Sequence, residues 1–172
     1  MHPEARALID LLGLAPLDAE GGYFRQTWRS SVDPVSKKPL GTCIVALQTD
    51  EPDSFSALHR LPTDEIWHFY LGDAFQLLLL HTDGSVTEPV LGHDLAAGQQ
   101  IQLVVPAGTW MGGRVVASGR FSLFGCTMAP GFTEVDYEGG SAADLVARWP
   151  DHGGRIRSLV RDGGPVRMTS AT

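Results

Sequence analysis

The stretch EIWHFYLGDAFQLLLLHTDG, residues 65–84, decides how the chain reads. Two apolar runs of strand length, Glu65–Leu71 and Phe75–His81, are joined by the turn signal LGD, and TDG closes the second. Runs this short between tight-turn residues are β-strands rather than helices. Side chains alternate along a strand, so Glu65, Trp67 and Phe69 share one face and His68 takes the other.

The same texture extends in both directions. Strands are expected at Gly21–Ser30, Cys43–Thr49, Ser54–His59, Val86–Leu91, Gln100–Val105, Gly113–Val116 and Phe121–Met128. The separators EPD, LPTD, DLAAG, PAG and ASG are turn chemistry. Eight or nine short strands without alternating helices argue for an all-β barrel or sandwich and against a parallel α/β sheet. Residues 3–14 carry a helical pattern opened by Pro3 and ended by Gly13 and Pro16. Ser141 opens SAADLVARWP with Asp144 three residues on, the spacing of a capping box. Arg155–Val160 offers a last helical turn, and residues 163–172 read as a frayed tail.

Composition limits the function classes. The 172 residues suit one domain, with a core over about residues 8–160. Hydrophobic residues make up 43% and charged residues 19%, the balance of a globular chain. The net charge of −7 and the absence of a Lys/Arg cluster speak against nucleic-acid binding, which needs a basic surface. No apolar run is long enough to span a membrane, and the N-terminal residues lack the basic-then-apolar order of a signal peptide. A cytoplasmic location is the expectation. Cys43 and Cys126 lie inside apolar strand-like runs and are expected as free thiols.

Three stretches in order, GGYFRQTWRS, HRLPTDEIWHFYLGD, and VVPAGTW followed by GCTMAPGFTEVDY, resemble the cupin family defined by the domain of unknown function DUF985. The resemblance runs from about Leu8 to Leu159. It implies a double-stranded β-helix, the jelly-roll cupin barrel, with short N- and C-terminal helices, a small-molecule pocket in the barrel mouth, and a homodimer. Cupins more widely carry two metal-binding motifs. Glu65 and Gly72 fit the second half of the first, and His59 stands one residue too far from Glu65. Ala57 occupies the place of the partner histidine. In the second motif Pro106 and Gly108 fit, but Met111 stands where a histidine is usual. A thioether is a poor ligand for metals that favour imidazole and carboxylate, so no metal or other cofactor is expected.

His59, Glu65 and Tyr23 are the candidate catalytic residues. Histidine titrates near neutrality and can move a proton on carbon or oxygen. Glu65, flanked on its face by aromatics, is placed to act as an acid or to orient His59. Tyr23, from GGYFRQTWRS, is a candidate proton donor. Arg25 and Thr27 share its face, and the Arg25 fork suits a carboxylate or phosphate. Trp67, Phe69, Gln102, Trp110 and Met111 are candidate ligand contacts, with Trp110 placed on a turn as an aromatic wall. For each a structural role is the alternative: an edge-strand salt bridge for Arg25, ordinary core for Trp110, a solvated face for Gln102. His68 is expected on the outer face, and Asp136 and Tyr137 over the barrel end.

Three functions fit these residues. One is a metal-independent isomerase or epimerase acting on a small polar or sugar-like molecule. The second is a non-catalytic small-ligand binding protein. The third is a metal-dependent oxygenase or lyase using His59, Glu65 and a nonstandard ligand.

Overall fold

The structure, a computed structural model, describes residues 1–161 and 163–168. A helix, α1 (Pro3–Leu12), is followed by twelve strands: β1 (Ala15–Pro16), β2 (Tyr23–Arg29), β3 (Thr42–Thr49), β4 (Ser56–Arg60), β5 (Glu65–Gly72), β6 (Phe75–Leu80), β7 (Val86–Thr87), β8 (Val90–Leu91), β9 (Gln102–Val105), β10 (Trp110–Val115), β11 (Phe121–Met128) and β12 (Glu138–Gly139). Helices α2 (Ala142–Arg148) and α3 (Gly153–Arg157) close the chain. The strands form two antiparallel sheets. One runs β1-β2-β3-β11-β5-β9; the other runs β12-β4-β10-β6-β7, with β8 also on β6. Apart from the consecutive β1-β2-β3 and β6-β7 pairings, neighbours in each sheet are distant in sequence, as in a jelly roll.

The local devices follow from the residues. His2 caps α1 through its ring, Pro3 opens it, and Gly13 ends it in a left-handed conformation, two residues short of the expected boundary. The Ser141 side chain accepts from the Asp144 backbone N–H at the start of α2. Pro89 has no N–H to give a ladder, and the expected strand Val86–Leu91 is accordingly split into β7 and β8. The expected strand Gly113–Val116 begins three residues earlier, at Trp110. In the tail, the Gly139 N–H donates to the Val166 carbonyl, so part of this segment crosses β12. The remainder of the tail, residues 169–172, lies outside the described residues, as does residue 162.

Three apolar clusters organise the packing. The barrel interior holds Trp67, Phe69, Phe75 and Phe124 with the aliphatic side chains facing them. Outside the second sheet, Leu58, Leu78, Leu80 and Trp110 pack against Leu145, Trp149, Ile156 and Leu159 of the C-terminal segment. Outside the first sheet, α1 lays Ala5 and Ile9 on Leu47, Phe121 and Leu123. No helix among the described residues is long and apolar enough to cross a membrane.

Candidate functional site

Strand register arranges the inward side chains of the first sheet in ranks. The one at the cavity floor contains Phe24, Ala46, Phe124 and Phe69. The next contains Gln26, Ile44, Cys126 and Trp67, and the rank at the rim contains Arg29, Thr42, Met128 and Glu65. Deep in the barrel the aromatics close the space. Trp67 stacks on Phe124 at 4.9 Å and on Phe75 at 5.9 Å. Towards the rim a cavity of about 330 Å³ remains, small among ligand pockets. Its apolar walls include Leu17, Phe24, Ile44, Leu61 and Phe132. Its polar groups include Glu20, Gln26, Arg29, Thr42, Glu65 and Glu134.

Glu65 opens β5 and points into this cavity while remaining 7% exposed. Trp67 Nε1 donates to Glu65 Oε2 at 2.9 Å, and the Cys126 thiol is a second hydrogen-bond partner. Burial pushes the Glu65 carboxyl up to about 7; the neighbouring Glu20 carboxylate adds to the rise, and His59 and the two hydrogen bonds oppose it. The Cys126 thiol is likewise pushed well up by burial, and further by Glu65.

His59 comes from the opposite sheet, where β4 sets it opposite Met111 of β10. Its ring is 2% exposed and stacks on Tyr137 at 5.4 Å. Nδ1 lies 2.7 Å from the Ala57 carbonyl. A carbonyl only accepts, so Nδ1 carries a proton, and in the neutral ring Nε2 holds the lone pair. Nε2 faces Glu20 Oε2 at 3.8 Å. Glu20 therefore stands between His59 and the cavity. The Tyr137 hydroxyl donates to the Ala19 carbonyl beside this pair, and burial, then Glu20, raises its pKa above the ordinary phenol value.

Glu20 reaches this position through the two residues that follow it. Gly21 and Gly22 have φ values of 102° and 70°. A Cβ on Gly21 would lie 2.3 Å from the Phe55 carbonyl oxygen, and one on Gly22 would lie 2.5 Å from the Gln48 side chain. Only glycine allows this turn and close approach.

The structure brings Glu65 and His59 to one site and separates most other candidates from it. Tyr23 sits on the far face of β2, packed beneath α1. Arg25 shares that face, exposed near Gly13. Thr27 is the extra residue of a β-bulge between Gln26 and Trp28, its hydroxyl donating to the Cys43 carbonyl. The bulge reverses the alternation beyond it, so Trp28 turns outward and Arg29 turns into the cavity. Trp67 and Phe69 face inward but form the packed floor; Phe69 meets the His93 ring edge at 4.7 Å. Met111 is inward and buried in the same core. Trp110, expected as a pocket wall on a turn, is instead a strand residue beside inward Met111. It must face outward, where it packs under the C-terminal segment with Arg60 4.8 Å above its ring. Gln102 also faces outward, donating from its amide to His68 Nδ1 at 3.1 Å. His68 lies on that outer face as alternation requires, its Nε2 3.1 Å from Thr127 Oγ1.

Sequence reasoning missed Glu20, Gln26 and Arg29. Gln26 was legible as the face opposite Tyr23 and Arg25. Arg29 required knowledge of the bulge, and Glu20 required the shape of the glycine turn.

The residues do not fit the metal that cupins more widely hold. Ala57 offers no ligand atom, and the Met111 thioether is packed in the core. Among the described residues no three His, Cys, Asp or Glu side chains are arranged to hold a metal ion.

Two antiparallel sheets wound as a jelly roll, with a cavity between them at one end, define a cupin barrel. Residues 6–139 match the family described as Cupin superfamily (DUF985), and the chain belongs to that family. A solved structure from Shewanella oneidensis is 35% identical, with a TM-score of 0.82 over 91% of this chain and 97% of that one. A hypothetical protein from Leishmania major is 31% identical, with a TM-score of 0.83 over 92% and 99%. Oxalate decarboxylase of Bacillus subtilis is 14% identical, with a TM-score of 0.53 over 90% of this chain and 38% of that one, a likeness of fold alone. No curated protein matches the sequence.

Proposed function

We propose that the cavity binds a small polar or sugar-like molecule and moves a proton on it without a metal, in the manner of an isomerase or epimerase. The supporting observation is the paired-carboxyl arrangement. Glu65, with its carboxyl pushed up to about 7, lines the same cavity as Glu20, which His59 backs at 3.8 Å. A carboxyl raised by burial beside a second carboxyl in one cavity supplies the two groups that acid and base chemistry needs. Glu20 takes the proton from a carbon beside a carbonyl and can pass it to His59 Nε2. Protonated Glu65 donates a hydrogen bond to the carbonyl oxygen as charge develops there. Delivery of the Glu65 proton to the other face of that carbon epimerises it, leaving Glu65 ionised and Glu20 protonated. Return of the Glu20 proton to the neighbouring carbon, while Glu65 protonates the carbonyl oxygen and recovers a proton from the neighbouring hydroxyl, isomerises a 2-hydroxy carbonyl compound.

The test is solvent exchange. The protein is incubated in D₂O with a panel of 2-hydroxy aldehydes, ketoses and aldoses, and loss of individual C–H signals is followed by NMR. Exchange is expected for some members, slowed by roughly 10²-fold or more in Glu65→Gln and in Glu20→Gln. A compound that binds in the cavity with no exchange supports the second reading, a non-catalytic binding protein, which the largely apolar cavity wall favours.

We also infer a homodimer formed through the outer face of the first sheet. That face exposes Trp28, Tyr70 and Val104, and β2 has no described partner strand on its outer edge beyond Phe24. Exposed apolar sheet faces and open edges are usual places for association. A dimer mass is expected in light scattering at micromolar concentration, and a monomer mass there removes the inference.

A further inference from the structure

Arg29 gives the cavity a cationic end. The guanidinium comes from the rim rank, where Arg29 pairs with Thr42, Thr42 with Met128, and Met128 with Glu65. Three strand spacings, about 14 Å of sheet, therefore separate the Arg29 and Glu65 backbones across the cavity mouth. Arg29 is also held in position. Its Nη1 donates to the Phe132 carbonyl at 3.2 Å, and the Phe132 N–H donates to Thr42 Oγ1 at 2.9 Å. That arrangement ties the guanidinium to the rank it comes from. One of its five N–H donors is used there, and no other described group accepts from it. Among the described residues no carboxylate lies within ion-pair distance of it. Glu134 lines the same cavity but is not its partner.

The other end is acidic, with Glu20 and Glu65. An anion there would meet like charge, whereas hydroxyl groups would find acceptors. A ligand matching both ends carries one oxyanion head for the Arg29 fork and a hydroxylated body reaching the carboxyl pair. The guanidinium fork matches the planar or tetrahedral oxygens of carboxylate and phosphate alike.

We propose that Arg29 selects a small hydroxylated oxyacid, a hydroxy carboxylate or a sugar phosphate, with its anionic head at Arg29 and its hydroxyl-bearing carbons at Glu20 and Glu65. This rests on the reading of the cavity as a ligand site and names the class of molecule that enters it.

The experiment is calorimetric titration of the full chain with two matched pairs: gluconate against sorbitol, and glucose 6-phosphate against glucose. One acid of the pairs is expected to bind at least about tenfold more tightly than its neutral counterpart, and which acid it is separates the two heads. Arg29→Gln is expected to abolish the difference and Arg29→Lys to restore part of it. The side chain is exposed, so melting temperatures of both variants should match the parent. Equal binding of acid and neutral partner, a preference that survives Arg29→Gln, or no binding of either acid at millimolar concentration overturns the proposal. Running the glucose and glucose 6-phosphate complexes, the pair with an aldehyde carbonyl, in D₂O separates this inference from the proton-transfer reading. Arg29-dependent binding without exchange leaves the oxyacid site standing and removes the chemistry. Exchange on glucose, unchanged in Arg29→Gln, does the reverse.

Discussion

The floor and the rim of this barrel are built from the same strands, yet they are different materials. At the floor, Phe69 and Phe124 share a rank and pack with Trp67 and with Phe75 from the facing sheet, and their rings close the space, while Phe24 at the end of that rank borders the cavity. Two ranks away, the same strands β2, β11 and β5 present Arg29, Met128 and Glu65, and a cavity opens. Buried aromatic area stabilises the first region. The second region gives up that burial and places a carboxyl where its charge is disfavoured. The division of labour is between ranks of one sheet, not between separate parts of the chain.

The sharpest way to break the contrast is to hollow out the floor. Phe124→Ala removes a buried ring that touches both Trp67 and Phe75. A loss of about 3–5 kcal/mol is expected, from lost transfer free energy and the cavity left behind. That lowers the melting temperature by roughly 10 °C or more, readable by calorimetry. A shift under about 2 °C would mean that the floor is not packed as described.

Glu65→Gln tests the rim in the opposite direction. The amide introduced there keeps an oxygen for the Trp67 N–H without carrying a charge. The Glu65 carboxyl has an ordinary value of 4.5 and is raised to about 7 in the fold. Between these values the unfolded chain has released the proton and the folded chain has not. The stability this contributes is complete below pH 4.5 and is lost as pH rises through 7. Parent and variant should therefore have the same pH dependence below pH 4.5 and diverge above it. By about pH 8 the parent should have lost on the order of 3 kcal/mol relative to Glu65→Gln. Urea unfolding of both proteins across that range measures it, and parallel curves would show that Glu65 is not a buried acid.

Trp110→Leu probes a third region, the outside of the second sheet. The residue packs with Leu78 and Leu80 and lies under Arg60, away from the cavity. A stability loss of roughly 1–3 kcal/mol is expected with ligand affinity unchanged. A selective loss of affinity with no loss of stability would place Trp110 back at the pocket.

How much of this was legible in the sequence depends on which physical rule fixes each residue. Period-2 alternation is local, so Glu65, Trp67 and Phe69 inward and His68 outward could be read from EIWHFYLG alone. The number and order of strands followed from turn residues, and Cys43 and Cys126 are free thiols as their apolar settings suggested. Alternation does not say which face is inside, and this misplaced Tyr23, Arg25 and Gln102. Nor does it announce a bulge, and Thr27 reverses the faces of β2, so that Arg29 rather than Arg25 reaches the cavity. Trp110 was misplaced because PAGTW reads as a turn, whereas the ladder with Leu80 already begins at that residue. Glu20 lies in a loop with no periodicity. Its position depends on the Gly21–Gly22 turn and on His59 from a different sheet, contacts that arise only once both sheets are assembled.

The smallest expected effect completes the contrast between ranks. Gln26 and Trp67 occupy one rank, at its two ends, but Gln26 is exposed at the cavity wall and Trp67 is buried under stacked rings. Gln26→Ala removes little buried area and leaves no described hydrogen bond unmade, so stability should change by less than about 0.5 kcal/mol. Its side chain lines the cavity one rank further in than Arg29, where a hydroxylated ligand would use the amide. A reduction in gluconate or glucose 6-phosphate affinity of roughly threefold to tenfold is expected, the share of one neutral hydrogen bond. Binding titrations beside a melting curve separate the two readouts. A large fall in stability with no change in affinity would mean that the rim is continuous with the core, and that floor and rim differ in composition without differing in role.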